Sequence, residues 1–168
     1  SLSAESACRI DRLRGEVLSL LGRFEEAEDA FSAARAPAEA AGLEDVIADI
    51  HSNLADIVLK KGNSDESLVM HRKALELFIK MGDAVGAARS YNNMGYILRR
   101  SGDKTKALEA YGEVESILSD DDSEELIPAQ IVLARSLLDL GEQDRARDHA
   151  LSAYERTEGS DDAILHAR

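Results

Sequence analysis

Apolar residues recur along this chain at helical spacing, and short polar breaks interrupt them at regular intervals. Ala87, Tyr91, Met94, Ile97 and Leu98 fall on one face of a helix, in the three-and-four rhythm of an amphipathic α-helix. Ser101-Gly102-Asp103 breaks the rhythm. Gly102 suits the left-handed residue that closes a helix, because it has no Cβ to clash there. Asp103 can cap the next helix by accepting its free amide hydrogens. The rhythm then resumes with Ala107, Leu108, Tyr111 and Val114 facing inward. The same pattern predicts helices over 4–21, 24–41, 44–61, 64–81, 84–100, 104–118, 123–139 and 143–157, with a new start at 161.

The pattern repeats. Gly22, Gly62, Gly102 and Gly141 stand 40, 40 and 39 residues apart. Seven residues before each stands a small residue: Gly15, Ala55, Gly95 and Ala134. Five after each stands another, Ala27, Ser67, Ala107 or Ala146, and twelve after come Ala34, Ala74, Val114 and Ala153. Four columns in step through four copies establish an internal repeat, the signature of a stacked array. Two antiparallel helices joined by a tight turn approach closely only where side chains are small. Gly95 and Ala107 are therefore predicted to meet near the turn, with Phe31, Leu54, Met94, Tyr111 and Leu133 burying against neighbouring repeats.

Composition narrows the reading. The chain has 168 residues, a formal net charge of −13, two prolines, no tryptophan and a hydrophobic fraction of 44%. That fraction is enough for a core, and scarce proline with abundant Ala, Leu and Glu favours an all-helical chain. The negative charge removes the basic footprint that nucleic-acid backbones and anionic membrane surfaces require. One cysteine, Cys8, excludes an internal disulfide and any multi-cysteine zinc site, and reads as a small core residue. No apolar run is long enough for a transmembrane helix and no signal peptide is visible. The expected setting is cytoplasmic.

These columns resemble the tetratricopeptide repeat. Gly15, Leu18, Gly22, Phe24, Ala27, Phe31 and Ala34 carry the resemblance in the first copy, and Ala55, Val58, Gly62, Ser67, His71 and Ala74 in the second. Gly95, Leu98, Gly102, Ala107, Tyr111 and Val114 carry it in the third, and Ala134, Leu137, Gly141, Ala146, Ala150 and Ala153 in the fourth. The usual family unit is roughly 34 residues; the longer period here, with Ser52-Asn53-Leu54-Ala55 and Asn92-Asn93-Met94-Gly95, is similar to the arrays of kinesin light chains and cell-polarity adaptors. The outer copies lack the asparagine, and the proline that usually closes the second helix is missing, Pro37 lying inside the first copy. The resemblance implies an all-α, right-handed superhelical solenoid of antiparallel helix pairs. Its repeats would cover about 4–41, 44–81, 84–118 and 123–157, with 159–168 opening a fifth repeat or forming a cap. Gly159 to Arg168 echoes the opening of the third copy, and the chain starts inside a helix, so a piece of a longer protein is expected. Uncovered apolar ends of such a piece could pair chain to chain.

The resemblance further implies a concave groove, lined by the first helix of each repeat, that holds a peptide or helical partner. In the third copy Arg89, Asn92, Asn93, Tyr96, Arg99 and Arg100 form one polar stripe at helical spacing. Asn53 and Asp56 continue it in the second copy and Arg135 in the fourth. An asparagine amide both donates and accepts, so Asn53 and Asn93 can hold an extended backbone; the alternative is a bond to a neighbouring turn. Arg89, Arg99, Arg100 and Arg135 form a positive cluster fit for partner carboxylates, or for pairing with the chain's own acids. Tyr96 is either an interface anchor or partly packed.

Little else in the sequence suggests chemistry. The run Asp120 to Glu125 lacks the alternation and central glycine of a calcium loop. Asp122 or Ser123 capping a helix is expected instead. His51, His71, His149 and His166 show no metal-ligand spacing. No nucleotide loop, nucleophile elbow or metalloprotease motif occurs. The sequence thus predicts no enzyme, no cofactor and no metal. It predicts a scaffold binding a protein or peptide, with no nucleic-acid or membrane partner. The alternative reading is the ligand- or peptide-sensing segment of a signalling or transcription regulator.

Overall fold

The computed structural model describes residues 3–121 and 123–166, with side chains as far as Glu158. Every regular element among them is helical. The order is α1 (Ala4–Leu20), α2 (Phe24–Ala41), α3 (Glu44–Lys60), α4 (Ser64–Met81), α5 (Ala84–Arg100), α6 (Lys104–Asp120), a 3-10 turn (Glu124–Leu126), α7 (Ile127–Asp139) and α8 (Gln143–His166). Helices pack in adjacent pairs, α1 with α2, α3 with α4, α5 with α6 and α7 with α8. The chain divides into two compact units, Ser1–Asp83 and Ala84–Arg168.

The turns form as the sequence dictates. Gly102 adopts φ 85°, the Asp103 amide donates back to the Leu98 carbonyl at 3.0 Å, and Asp103 Oδ1 accepts from the Lys106 amide at 3.0 Å. One left-handed residue thus closes α5 while its neighbour opens α6. Gly42 and Gly82 close α2 and α4 in the same conformation, so the glycine punctuation runs at half the repeat length, a signal the columns above do not use. The junction after α6 breaks it. Asp121 there is extended (φ −140°, ψ 117°), and its Oδ1 accepts from the Ser123 amide at 2.8 Å. The Ser123 side chain makes no cap, and Asp122, the other expected cap, lies outside the described residues. With Pro128 near its start, α7 begins at Ile127 rather than 123.

In the first unit Phe31, Val46, Ile50, Ile57 and Leu18 join one buried cluster together with Cys8. The Ser67 hydroxyl, buried between α3 and α4, donates to the Ala55 carbonyl at 2.8 Å. In the second unit Leu126, Leu133 and Leu137 join Tyr111 and Val114 in another cluster. The nearest neighbour of Gly95 is a ring: a Cβ there would lie 2.4 Å from Tyr111 Cε1, so the small residue receives the Tyr111 side chain. Gly15 receives Phe31 in the same way, at 2.6 Å. Each pair therefore has a knob position sixteen residues after its small residue: Phe31, His71, Tyr111 and Ala150.

One further expectation is corrected. Residues 143–166 form one continuous helix, and the backbone stays helical through Gly159 and Ser160, where the sequence pattern places a break before 161. The residues there supply no left-handed closure, and the helix runs on. Ala167 and Arg168 lie outside the described residues.

His51, half-buried on α3, yields a pH prediction. Burial, then the charges of Lys73 and Arg35, hold its imidazolium below the usual histidine range, against an opposing pull from Glu39. A depressed folded-state value means the unfolded chain binds the proton more readily. The associated stability is present above about pH 6.5 and is lost as pH falls below it. The urea midpoint of the wild type is expected to drop more between pH 7.5 and 5.5 than that of His51→Gln, and equal drops would assign the acid sensitivity elsewhere.

Candidate functional site

The residues singled out by the sequence separate into two groups. In the first unit they are occupied. Asn53 Nδ2 donates to the Asp49 carbonyl at 2.9 Å and to Glu16 Oε1 at 3.2 Å, joining α3 to α1. Arg12 pairs with Glu16 on its own helix and with Asp49 on α3 at 3.3 Å. Asp56 Oδ1 lies 3.3 Å from Nε2 of the fully buried His71. These groups tie helix to helix.

In the second unit α5 is the informative element. It carries Arg89, Arg99 and Arg100 and no carboxylate, in a chain of net charge −13. Tyr96 is 37% exposed. The Arg99 and Arg100 guanidinium carbons lie 5.5 and 5.6 Å from its ring centroid, and Arg100 Nη1 donates to its hydroxyl at 3.3 Å. Both distances fit cation–π attraction. Arg89 is exposed and Asn93 half-buried beside this group.

Asn92 does not belong to the exposed stripe. It is 3% exposed, and its Nδ2 donates to the Ala129 carbonyl at 3.0 Å. The stripe is wider than the free surface of α5, because α7 lies along one flank and covers that position. Arg99 is intermediate in role. It pairs with Asp139 on α7 at 3.2 Å and buries its Nε without a partner, so part of its charge is spent on joining the two helices. Arg135, on α7, is exposed.

A second feature lies between α7 and α8. A slot of about 580 Å³ opens there, lined by Ile131, Ala134, Arg135, Leu138, Ala150 and Tyr154 among others. The sequence signal for it is Ala150, which stands where the other copies place Phe31, His71 and Tyr111.

Other chemistry is sparse. Glu115 Oε2 receives Arg145 at 2.7 Å, and its Oε1 lies 3.0 Å from His149 Nε2. Burial raises the Glu115 carboxyl, but the Arg145 and His149 hydrogen bonds outweigh it and hold the group below the usual range. Among the described residues no three His, Cys, Asp or Glu side chains come together as a metal site. No helix among them is long and apolar enough to cross a membrane. Cys8 is free and buried.

Two family models described as tetratricopeptide repeat match the chain, one over residues 46–120 and the other over 9–32 and 127–151. No curated protein matches it. Among solved structures, BtubC (BKLC) from P. vanneervenii is similar at 20% identity and a TM-score of 0.72, over 96% of this chain and 67% of that one. Aspartyl phosphate phosphatase F from Bacillus subtilis is similar at 13% identity and a TM-score of 0.81, over 98% of this chain and 43% of that one. At these identities the likeness is one of fold.

Proposed function

This chain belongs to the tetratricopeptide repeat family, and from that premise we propose that it is a non-catalytic, cytoplasmic scaffold that holds an acidic peptide or helical segment of a partner protein against α5. One observation supports this most: Tyr96, exposed and flanked by two guanidinium groups, on a helix with three arginines and no acid. Tyr and Arg are the residues that most often dominate interface energy, and a ring contacted by two guanidinium groups is restrained before binding. Arg89, Asn93, Tyr96 and Arg100 are the proposed contacts, with Arg135 at the position on α7 equivalent to Tyr96. Arg99 contributes through its position over the ring. Asn53 and Asp56 carry less of the reading, since the hydrogen bonds of Asn53 and the approach of Asp56 to His71 already engage them within their own unit. Nucleic acid is not an expected partner of so acidic a chain.

The test is affinity capture from a lysate of the source organism, wild type beside Arg89→Glu/Tyr96→Ala. Both substituted side chains are exposed, so helicity by circular dichroism should stay unchanged. A protein held by the wild type and reduced at least about tenfold by the double variant is expected, the loss typical of an interface anchor. Equal capture by both would remove α5 as the binding face.

A further inference from the structure

Arginines on the first helix of a repeat reach acids on the first helix of the next. In the first unit each such arginine meets two acids. Arg9 pairs with Glu5 on its own helix and with Asp45 on α3. Arg12 pairs with Glu16 on its own helix and with Asp49 on α3. On α5 the contact is single. Arg99 Nη2 lies 3.2 Å from Asp139 Oδ2 on α7, and α5 has no acid of its own to add a second.

Asp139 is the one acid on α7 and its last residue. A carboxylate at that end of a helix faces the negative pole of the backbone dipoles, and no basic side chain stands in the last turn to offset it. The repeat places Lys60 and Arg100 at the equivalent positions of α3 and α5, so α7 reverses the charge of this column. The Asp139 side chain is 45% exposed, and an ion pair so open to water is weak and readily exchanged. Arg99 is held by more than this pair. Its Nε is buried, and its guanidinium carbon lies 5.5 Å from the Tyr96 ring centroid. Removing the Asp139 charge therefore leaves Arg99 in place with Nη2 free to receive another carboxylate.

We propose that Asp139 is an autoinhibitory carboxylate, occupying on Arg99 the place that an acid of the partner takes on binding. This rests on the α5 reading and adds the regulation of that site. Binding exchanges one carboxylate for another at Arg99. Arg100 donates to the Tyr96 hydroxyl and has no ion partner among the described residues, so it receives its acid without competition. A partner with neighbouring acids displaces Asp139 most readily, because Arg99 and Arg100 lie against the same ring. The affinity of α5 for acids is thus held below what its arginines can supply.

The probe is a labelled hexaglutamate peptide, titrated with the whole chain and followed by fluorescence anisotropy at low ionic strength, where exposed charges are least screened. The wild type is expected to bind it saturably, and Asp139→Asn about three- to fivefold more tightly, the range of an exposed ion pair. Asp29→Asn, the same change of charge at an exposed position on α2, should bind as the wild type does. In an Arg99→Gln background the gain from Asp139→Asn should disappear. Circular dichroism checks that each variant keeps its helices. Equal binding by Asp139→Asn and the wild type overturns the proposal. Weaker binding also overturns it, and makes Asp139 the residue that positions Arg99. A gain that persists in full without Arg99 overturns it as well, since simple removal of negative charge would then be the cause. Arg89→Glu/Tyr96→Ala separates this inference from the reading beneath it. If that variant binds the probe as the wild type does, or if no protein of the set binds it saturably, both fall. If it loses the probe while Asp139→Asn matches the wild type, the autoinhibitory role alone falls.

Discussion

Gly95→Ala is expected to destabilise the protein by about 2–3 kcal/mol, the upper range for overpacking a close-packed core. In an exposed helix interior the same change stabilises by roughly 0.5–1 kcal/mol, because alanine restricts the unfolded chain and favours the helix. The sign reverses here because the new Cβ would stand 2.4 Å from Tyr111 Cε1 and 2.7 Å from Cζ. That is the flank of a fully buried ring, which cannot swing aside as the end of a flexible chain could. The α5–α6 pair must separate or the ring must leave its rotamer. Gly112, on α6, is the internal control: nothing lies within 4 Å of its absent Cβ, so Gly112→Ala should stabilise. The repeat itself suggests the rescue. The α3–α4 pair carries Ala55 and His71 at these two positions, with His71 fully buried, so alanine is accommodated beside a smaller ring. Gly95→Ala/Tyr111→His should therefore recover part of the loss in a double-mutant cycle of urea midpoints. Destabilisation by both alanine substitutions alike, or a strictly additive double variant, would sink the steric account.

That pairing also marks how far the sequence could be read. The glycine columns, the helix pairs and the all-α class follow from spacing alone, because left-handed closure and amphipathic rhythm are local properties. What the columns do not say is which residue each small position receives. Gly95 and Ala107 both look like contact points, and only the packed pair shows that the Tyr111 ring occupies the gap. The site follows the same division. Arg89, Tyr96 and Arg100 stand exposed on α5 as a helical stripe predicts, while Asn92, within the same stripe, lies under α7 with its amide on the Ala129 carbonyl. A stripe of six positions spans more of a helix than one neighbour leaves free, and the register of α7 against α5 is not a local property. The junction after α6 is of the same kind. With Asp121 in place of glycine the chain takes an extended step and a 3-10 turn before α7 begins.

The slot between α7 and α8 was legible in principle, since Ala150 breaks a column of large side chains. Its meaning depends on context. A small residue at a knob position leaves either a cavity or an open surface, according to whether another element lies over it. The two cases differ in energy, and in the first unit the knob position is covered, Phe31 lying in a cluster with Ile50 and Ile57 of α3.

Phe31→Ala is expected to cost about 3–5 kcal/mol, the range for truncating a buried aromatic side chain. The ring is fully buried against Gly15, in a cluster with Ile50 and Ile57 from α3. Removing it forfeits the transfer free energy of the lost carbons and leaves a void under α3. At Ala150 the same residue is exposed to solvent, so water fills the space and no such void forms. Identical residues at equivalent positions should therefore differ sharply in cost. The thermal midpoint is expected to fall by roughly 2–4 °C per kcal/mol for a chain of this size. Partial refilling supplies a sharper readout than the fall itself. Gly15→Ala alone should destabilise, because its Cβ would lie 2.6 Å from Phe31 Cε1. In the Phe31→Ala background that ring is gone, and the added methyl group should stabilise. A change of sign between the two backgrounds is the expected result. Destabilisation of similar size in both would mean that Gly15 is required for the course of α1 itself, and that the ring is not what holds its position small.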